Sequence, residues 1–212
     1  MRENIIKNNK VLLLFIVSLF GICCLFLLNN VIVNYISKKT KEINYEQLKS
    51  YTKRHDLSEN YAILVDFSAP SGMHRFYVCD LQNHSIIATS LCAHGARQGS
   101  TKTTPVFSNE VGSNCSSIGH YKIVGKHKMS QSGLPSFKLV GLDESNSNAK
   151  RRGILIHSAK LISIFRLGIH PFRLPMDKRI SSGCFAVDID MMEFLGNLVD
   201  KEQKPILIYA YN

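Results

Sequence analysis

Two residues in this sequence have the makings of a nucleophile and its base. Cys184 stands in Arg179-Ile180-Ser181-Ser182-Gly183-Cys184-Phe185-Ala186-Val187, after Ser-Ser-Gly and before an apolar run. Small residues on its N-terminal side let the backbone turn tightly and leave the sulfur accessible. The N–H groups of Gly183 and Cys184 can point at a common spot, the layout an acyl-transfer nucleophile needs for the oxyanion it creates. Twenty-seven positions upstream, His157 ends the apolar run Gly153-Ile154-Leu155-Ile156-His157, where a rigid strand meets a loop. A free thiol is only slightly ionised at neutral pH, so a partnering imidazole matters. Neutral His157 can take the thiol proton and later return it to a leaving amine.

The elements that must position this pair read as strands separated by turns. Tyr61–Phe67 is a buried-type strand, and Arg75–Asp80 with Ser85–Cys92 flanks Gln82-Asn83-His84 as a hairpin. Further strands are expected at Tyr121–Val124, Phe137–Leu142, Gly153–His157, Phe185–Val187 and Pro205–Tyr211. One helix lies between the last two, capped by Asp188 or Asp190, with Ile189, Met192, Leu195 and Leu198 or Val199 as its apolar face. The class is mainly β, a sandwich or barrel with one or two short helices. Two polar stretches, 94–120 and Asp143–Arg152, can wall a cleft for a peptide-like ligand.

Val11–Leu28 is apolar apart from Ser18 and Gly21, long enough for one transmembrane helix. No small-residue cleavage site follows it, which favours an uncleaved anchor over a signal peptide. The expected organisation is a tail and anchor over 1–33, a juxtamembrane stalk over 34–60 with a short helix, and a catalytic domain over 61–212. Charge on the two sides of the run does not settle orientation, and the short N-terminal tail makes N-inside, with that domain outside the cytoplasmic membrane, the expected orientation. The chain carries a formal charge of +10 at pH 7, of which residues 1–40 hold +4. The remainder is spread thinly, which suits a cell wall or acidic lipid and carries no nucleic-acid signature. Six cysteines imply no complete disulfide framework if Cys184 is reactive, and Cys79 and Cys92 read as small buried hydrophobes. Cys92, His94, Cys115 and His120 contain no Cys-x-x-Cys pair, so no metal is expected, and thiol chemistry needs no cofactor.

An ordered set of motifs resembles the catalytic domain of murein L,D-transpeptidases, in the divergent branch of the YkuD-type fold. The set is His94-Gly95, Phe107-Ser108-Asn109, Gly112-Ser113, Ser116-Ser117, Gly119, Tyr121, Gly141-Leu142, Asn148-Ala149, Arg152, Ile154, Ile156-His157-Ser158-Ala159, Ser181 and Gly183-Cys184-Phe185-Ala186-Val187. The resemblance covers about residues 60–210. It implies attack on the stem-peptide carbonyl before a terminal D-alanine, then transfer of the acyl group to an amine or water. It implies Cys184 as nucleophile, His157 as base, Ser181 as the small hydroxyl three residues before the cysteine, and Gly183 with Cys184 as oxyanion donors. A main-chain carbonyl, at Ser158 or a neighbour, is implied as the group that orients the imidazole. His94, Gly95, Arg152 and Ser182 are the candidate substrate-binding residues. Arg97, Arg152 and Arg179 could each fork onto a stem-peptide carboxylate, and each equally reads as a surface charge.

The chain departs from the commoner YkuD pattern at three places. Ser182 stands where a second histidine is usual, and Ala186 where an arginine often follows. The His157–Cys184 interval is long and includes Phe165–Lys178, a candidate lid. Two other functions compete. A sortase needs an arginine after its cysteine, and none lies beyond Arg179. A tethered wall-binding domain without turnover would show an inert Cys184.

Overall fold

The computed structural model describes residues 14, 16–25, 27, 30–31, 35, 38–95, 99–101, 104–128, 135–159, 162 and 181–212. Two compact units result, Met1–Asn44 and Tyr45–Asn212. In the first, residues 16–25 are helical with exposed side chains. Among the described residues no helix is long and apolar enough to cross a membrane. Part of the Val11–Leu28 run lies outside the described residues, as do Arg97, Arg179 and the whole Phe165–Lys178 insertion.

The second unit begins earlier than the boundary expected at residue 61. Helix α1, Tyr45–Arg54, buries Tyr45, Leu48 and Thr52, so the short helix assigned to the stalk is part of the domain's own packing. Eight strands follow: β1 Tyr61–Asp66, β2 His74–Asp80, β3 Ser85–Leu91, β4 Gly119–Lys128, β5 Pro135–Gly141, β6 Leu155–Ser158, β7 Phe185–Val187 and β8 Leu207–Tyr211. All belong to one sheet ordered β3-β2-β1-β8-β4-β5-β6-β7. The β1–β8 and β6–β7 pairs are parallel and the others antiparallel. Beyond β3, Ala93 bridges back to Ala186 on β7, with its N–H 2.9 Å from the Ala186 carbonyl. The sheet thus curls towards closure, the barrel form of the expected class, and both neighbours of β7 are paired.

Helix α2, Ile189–Lys201, connects β7 to β8. Asp188 is its cap, accepting the Met191 N–H at 2.7 Å, and Met191, Met192, Leu195 and Leu198 are buried. The core lies between this helix and the curved sheet, with Ile63, Val65, Phe76, Val78, Leu139, Ile156, Val187 and Ile208 at its centre. Phe185, the residue after Cys184, stacks on Phe67 at 5.9 Å and meets Tyr121 edge-on at 5.4 Å. Aromatic pairs in such geometry add about 1 kcal/mol each to their burial. That anchor fixes where the chain leaves the Ser181–Cys184 turn.

Candidate active site

Strands β6 and β7 bring the cysteine and histidine together. Their parallel register aligns His157 with Ala186 and Ile156 with Phe185. Side chains alternate faces along a strand, and that alternation, continued one residue back from Phe185–Val187 into the bend, would put Cys184 on the face of His157. Strand spacing and rise put their Cα atoms ~8 Å apart. Among the described residues, no hydrogen bond joins Sγ to the imidazole. Sγ instead lies 3.4 Å from the Leu155 N–H, which it accepts, and donates towards the Gly153 carbonyl at 3.8 Å.

His157 is buried, and its Nδ1 lies 3.1 Å from the Ser158 carbonyl oxygen. A carbonyl can only accept, so Nδ1 carries the proton and Nε2 keeps its lone pair. The resemblance implied a main-chain carbonyl at Ser158 or a neighbour as the orienting group, and the Ser158 carbonyl lies within hydrogen-bond distance. Burial pushes the His157 pKa below the ordinary histidine value, opposed by that bond. Burial pushes the Cys184 thiol up, opposed by the Leu155 N–H and the charge of Arg152. Yet Cys184 keeps part of its surface open to solvent. Both groups therefore rest neutral, a thiol that donates and an imidazole that can accept.

The turn before Cys184 is held from three sides. Ser181, buried, accepts the Gly183 N–H at 3.1 Å and donates to the Cys184 carbonyl at 2.7 Å. Gly183 has φ +117°, and a Cβ there would overlap the Cys115 carbonyl and lie 3.0 Å from Arg152 Nη2. Its carbonyl accepts the Ser116 hydroxyl at 3.2 Å, and Ser116 Oγ accepts the Gly95 N–H at 3.0 Å. Arg152 Nη1 donates to the Ser108 carbonyl at 2.9 Å and to Ser117 Oγ at 2.6 Å, and Nη2 donates to the Cys115 carbonyl. The loop is also tied to the turn before β6 by Asn109 and Asn148, each bonding the other's main chain at 3.1 and 3.0 Å.

Several of the expected site groups have partners within the protein. Of the two N–H groups expected as oxyanion donors, that of Gly183 is bonded to Ser181 Oγ. Gly183 instead permits the close approach of the 115 loop. His94 is fully buried: Nδ1 is 2.7 Å from Arg75 Nη2, and Nε2 is 3.0 Å from the Thr101 carbonyl. It faces no cleft. Gly95 is buried against the Asn114–Ser116 backbone, where a Cβ would overlap the Asn114 carbonyl. The Nη1–Nη2 edge of Arg152 is taken by protein acceptors. Ser182 alone of the four substrate-binding candidates is exposed.

One buried charge escaped the sequence reading. Arg75 is fully buried and donates to the Cys92 and Ala69 carbonyls at 2.8 and 2.9 Å, with its guanidinium 5.0 Å from the Phe67 ring centre. A single arginine inside Arg75-Phe76-Tyr77-Val78-Cys79 was the available signal, because a charge in a buried-type strand demands acceptors.

A profile described as the L,D-transpeptidase catalytic domain matches residues 33–211. No curated protein matches the sequence. Among solved structures, the chain is similar to the helical cell shape determining protein Pgp2 from Campylobacter jejuni, at 15% identity and a TM-score of 0.43, over 72% of this chain and 47% of that one. It is also similar to an L,D-transpeptidase from Mycobacterium smegmatis, at 11% identity and a TM-score of 0.42, over 72% of this chain and 59% of that one. The chain thus spans about half the length of these structures.

Proposed function

Because the chain belongs to the L,D-transpeptidase catalytic domain family, whose profile it matches over residues 33–211, we propose that it is a cysteine acyltransferase acting on peptidoglycan stem peptides. The observation that carries this reading is the His157 tautomer. Its Nδ1–H is held by the Ser158 carbonyl, leaving Nε2 basic on the sheet face that bears Cys184. In the proposed reaction Nε2 takes the Sγ proton as sulfur attacks the carbonyl carbon before the terminal D-alanine. The Cys184 N–H donates to the oxyanion. The C–N bond breaks, the proton passes from Nε2 to the leaving amine, and a thioester remains on Cys184. An amine of a neighbouring stem peptide, or water, gives its proton to Nε2 and takes the acyl group; the C–S bond breaks and Nε2 returns the proton to Sγ. The resting pair is neutral, so proton transfer accompanies attack rather than preceding it.

The test is release of D-alanine from disaccharide-tetrapeptide by the wild type, Cys184→Ala and His157→Ala. Release by the wild type alone supports the enzyme, and an added acceptor amine separates transpeptidation from hydrolysis. Binding of the muropeptide without release would favour a wall-binding domain, the reading that the absent Sγ–imidazole hydrogen bond keeps in play.

The N-terminal segment is proposed as a single-pass anchor in the cytoplasmic membrane, with the domain on the extracytoplasmic side, where peptidoglycan lies. The apolar run Val11–Leu28 supports this. The full chain should stay with the membrane pellet after alkaline carbonate extraction. Release into the supernatant would contradict an integral anchor.

A further inference from the structure

Arg152 holds an unusual position for a positive charge. It reaches from the turn before β6, and its three bonds go to two carbonyls and one hydroxyl. Among the described residues no carboxylate pairs with it. A cation bonded only to neutral groups keeps its field for whatever anion forms nearby. In the proposed reaction that anion is the Cys184 thiolate, and Arg152 reaches the turn that carries it. Nη2 lies 3.0 Å from the place a Cβ would occupy on Gly183, the residue before Cys184. The same guanidinium fastens the 108–117 loop at three points, and the Cys115 carbonyl of that loop packs against Gly183. Planar geometry and a fixed charge are thus joined in one side chain, which lysine cannot reproduce.

We propose that Arg152 is a positioning residue for Cys184. Its guanidinium clamps the 108–117 loop against the Ser181–Cys184 turn and keeps a positive charge without a carboxylate partner at that turn, favouring the Cys184 thiolate as the proton leaves. The proposal rests on the reading of Cys184 as nucleophile. It assigns Arg152 to the protein side of the site and leaves the substrate carboxylates to other groups. The residual field agrees with it, since Arg152 opposes the burial that raises the thiol.

The test uses the full chain in detergent and the neutral alkylating agent iodoacetamide. Modification of Cys184 is followed by peptide mass spectrometry from pH 6 to 10, for the wild type, Arg152→Gln and Arg152→Lys. Alkylation follows the thiolate fraction. The glutamine variant should react about tenfold more slowly below the midpoint, a shift of about one pH unit. The lysine variant should keep the wild-type midpoint yet lose at least tenfold in release of D-alanine, because the charge stays and the clamp goes. Equal midpoints for wild type and glutamine overturn the electrostatic part, and wild-type turnover in the lysine variant overturns the clamp. If the glutamine variant does not fold, the lysine variant still decides: a midpoint shifted upward by a unit or more marks a purely structural role. A wild type with an Arg152-dependent midpoint but no release of D-alanine would refute the proposed reaction and leave the positioning role standing. Release with no Arg152-dependence would do the reverse.

Discussion

Acid should unfold this domain through one buried histidine, His94. Burial, then the charge of Arg75, lower the His94 pKa from 6.5 to about 3, against the bond to the Thr101 carbonyl. The charged group facing its ring is Arg75, with the Cys92 carbonyl sharing that guanidinium and Phe67 packed edge-on at 6.1 Å. Such a histidine binds its proton in the unfolded chain below pH 6.5 and in the folded chain only near pH 3. Its contribution is therefore complete above pH 6.5 and is lost as pH falls towards 3. The slope is about 1.4 kcal/mol per pH unit, which reaches ~3 kcal/mol at pH 4 and ~5 kcal/mol over the whole window. A small domain has about 5–15 kcal/mol in total, so this one site can decide its acid limit. His94→Gln removes the titration while offering Arg75 an acceptor oxygen and Thr101 a donor. Urea midpoints measured from pH 7.5 to 4 should fall more steeply for the wild type than for the variant, by the slope of one proton. Parallel pH curves would refute the reasoning, because every other titrating group is common to both proteins.

Four further outcomes are expected. Ser181→Ala leaves the Gly183 N–H and the Cys184 carbonyl without their shared partner, and should cost about 1–3 kcal/mol in urea unfolding and most of the turnover. Gly183→Ala must fit a Cβ against the Cys115 carbonyl at φ +117°, so a thermal scan should show a loss above ~2 kcal/mol, with D-alanine release abolished. The acid limb of kcat/KM should lie below pH 6.5, because burial lowers the His157 pKa and its unprotonated form persists to lower pH; a limb at or above 6.5 would contradict that environment. Tyr51→Ala should loosen helix α1, whose Tyr51 ring stacks on His120 at 4.0 Å, and should lower stability by about 1 kcal/mol, visible as faster amide exchange over residues 45–54.

The strands and the α2 helix were legible in the sequence because their apolar alternation and their turn residues act locally. Phe185–Val187 and the Asp188 cap fall where the pattern put them. The β6–β7 register was not legible, since it depends on two segments meeting across a long interval, and it is what sets Cys184 and His157 on one face. Polar residues were the least readable. Motifs rich in His, Asn, Ser and Arg suggested a cleft lining, but Asn109, Ser116, Asn148 and Arg152 spend their hydrogen bonds on the protein's own loops. His94 illustrates the same ambiguity: a histidine beside glycine in a polar stretch gives no sign that a buried Arg75 lies against its ring. Helix α1 was legible from Tyr45, Leu48 and Tyr51, but its polar, lysine-rich setting read as a stalk, and nothing local shows that Tyr45, Leu48 and Thr52 are buried.

The central claim is that Cys184 carries the acyl group. The most direct measurement is peptide mass spectrometry of the chain quenched in acid during incubation with disaccharide-tetrapeptide. The expected result is an adduct on the Cys184 peptide equal to the muropeptide less D-alanine, absent in Cys184→Ala and His157→Ala. D-alanine released without any such adduct, or an adduct on another residue, would contradict the account.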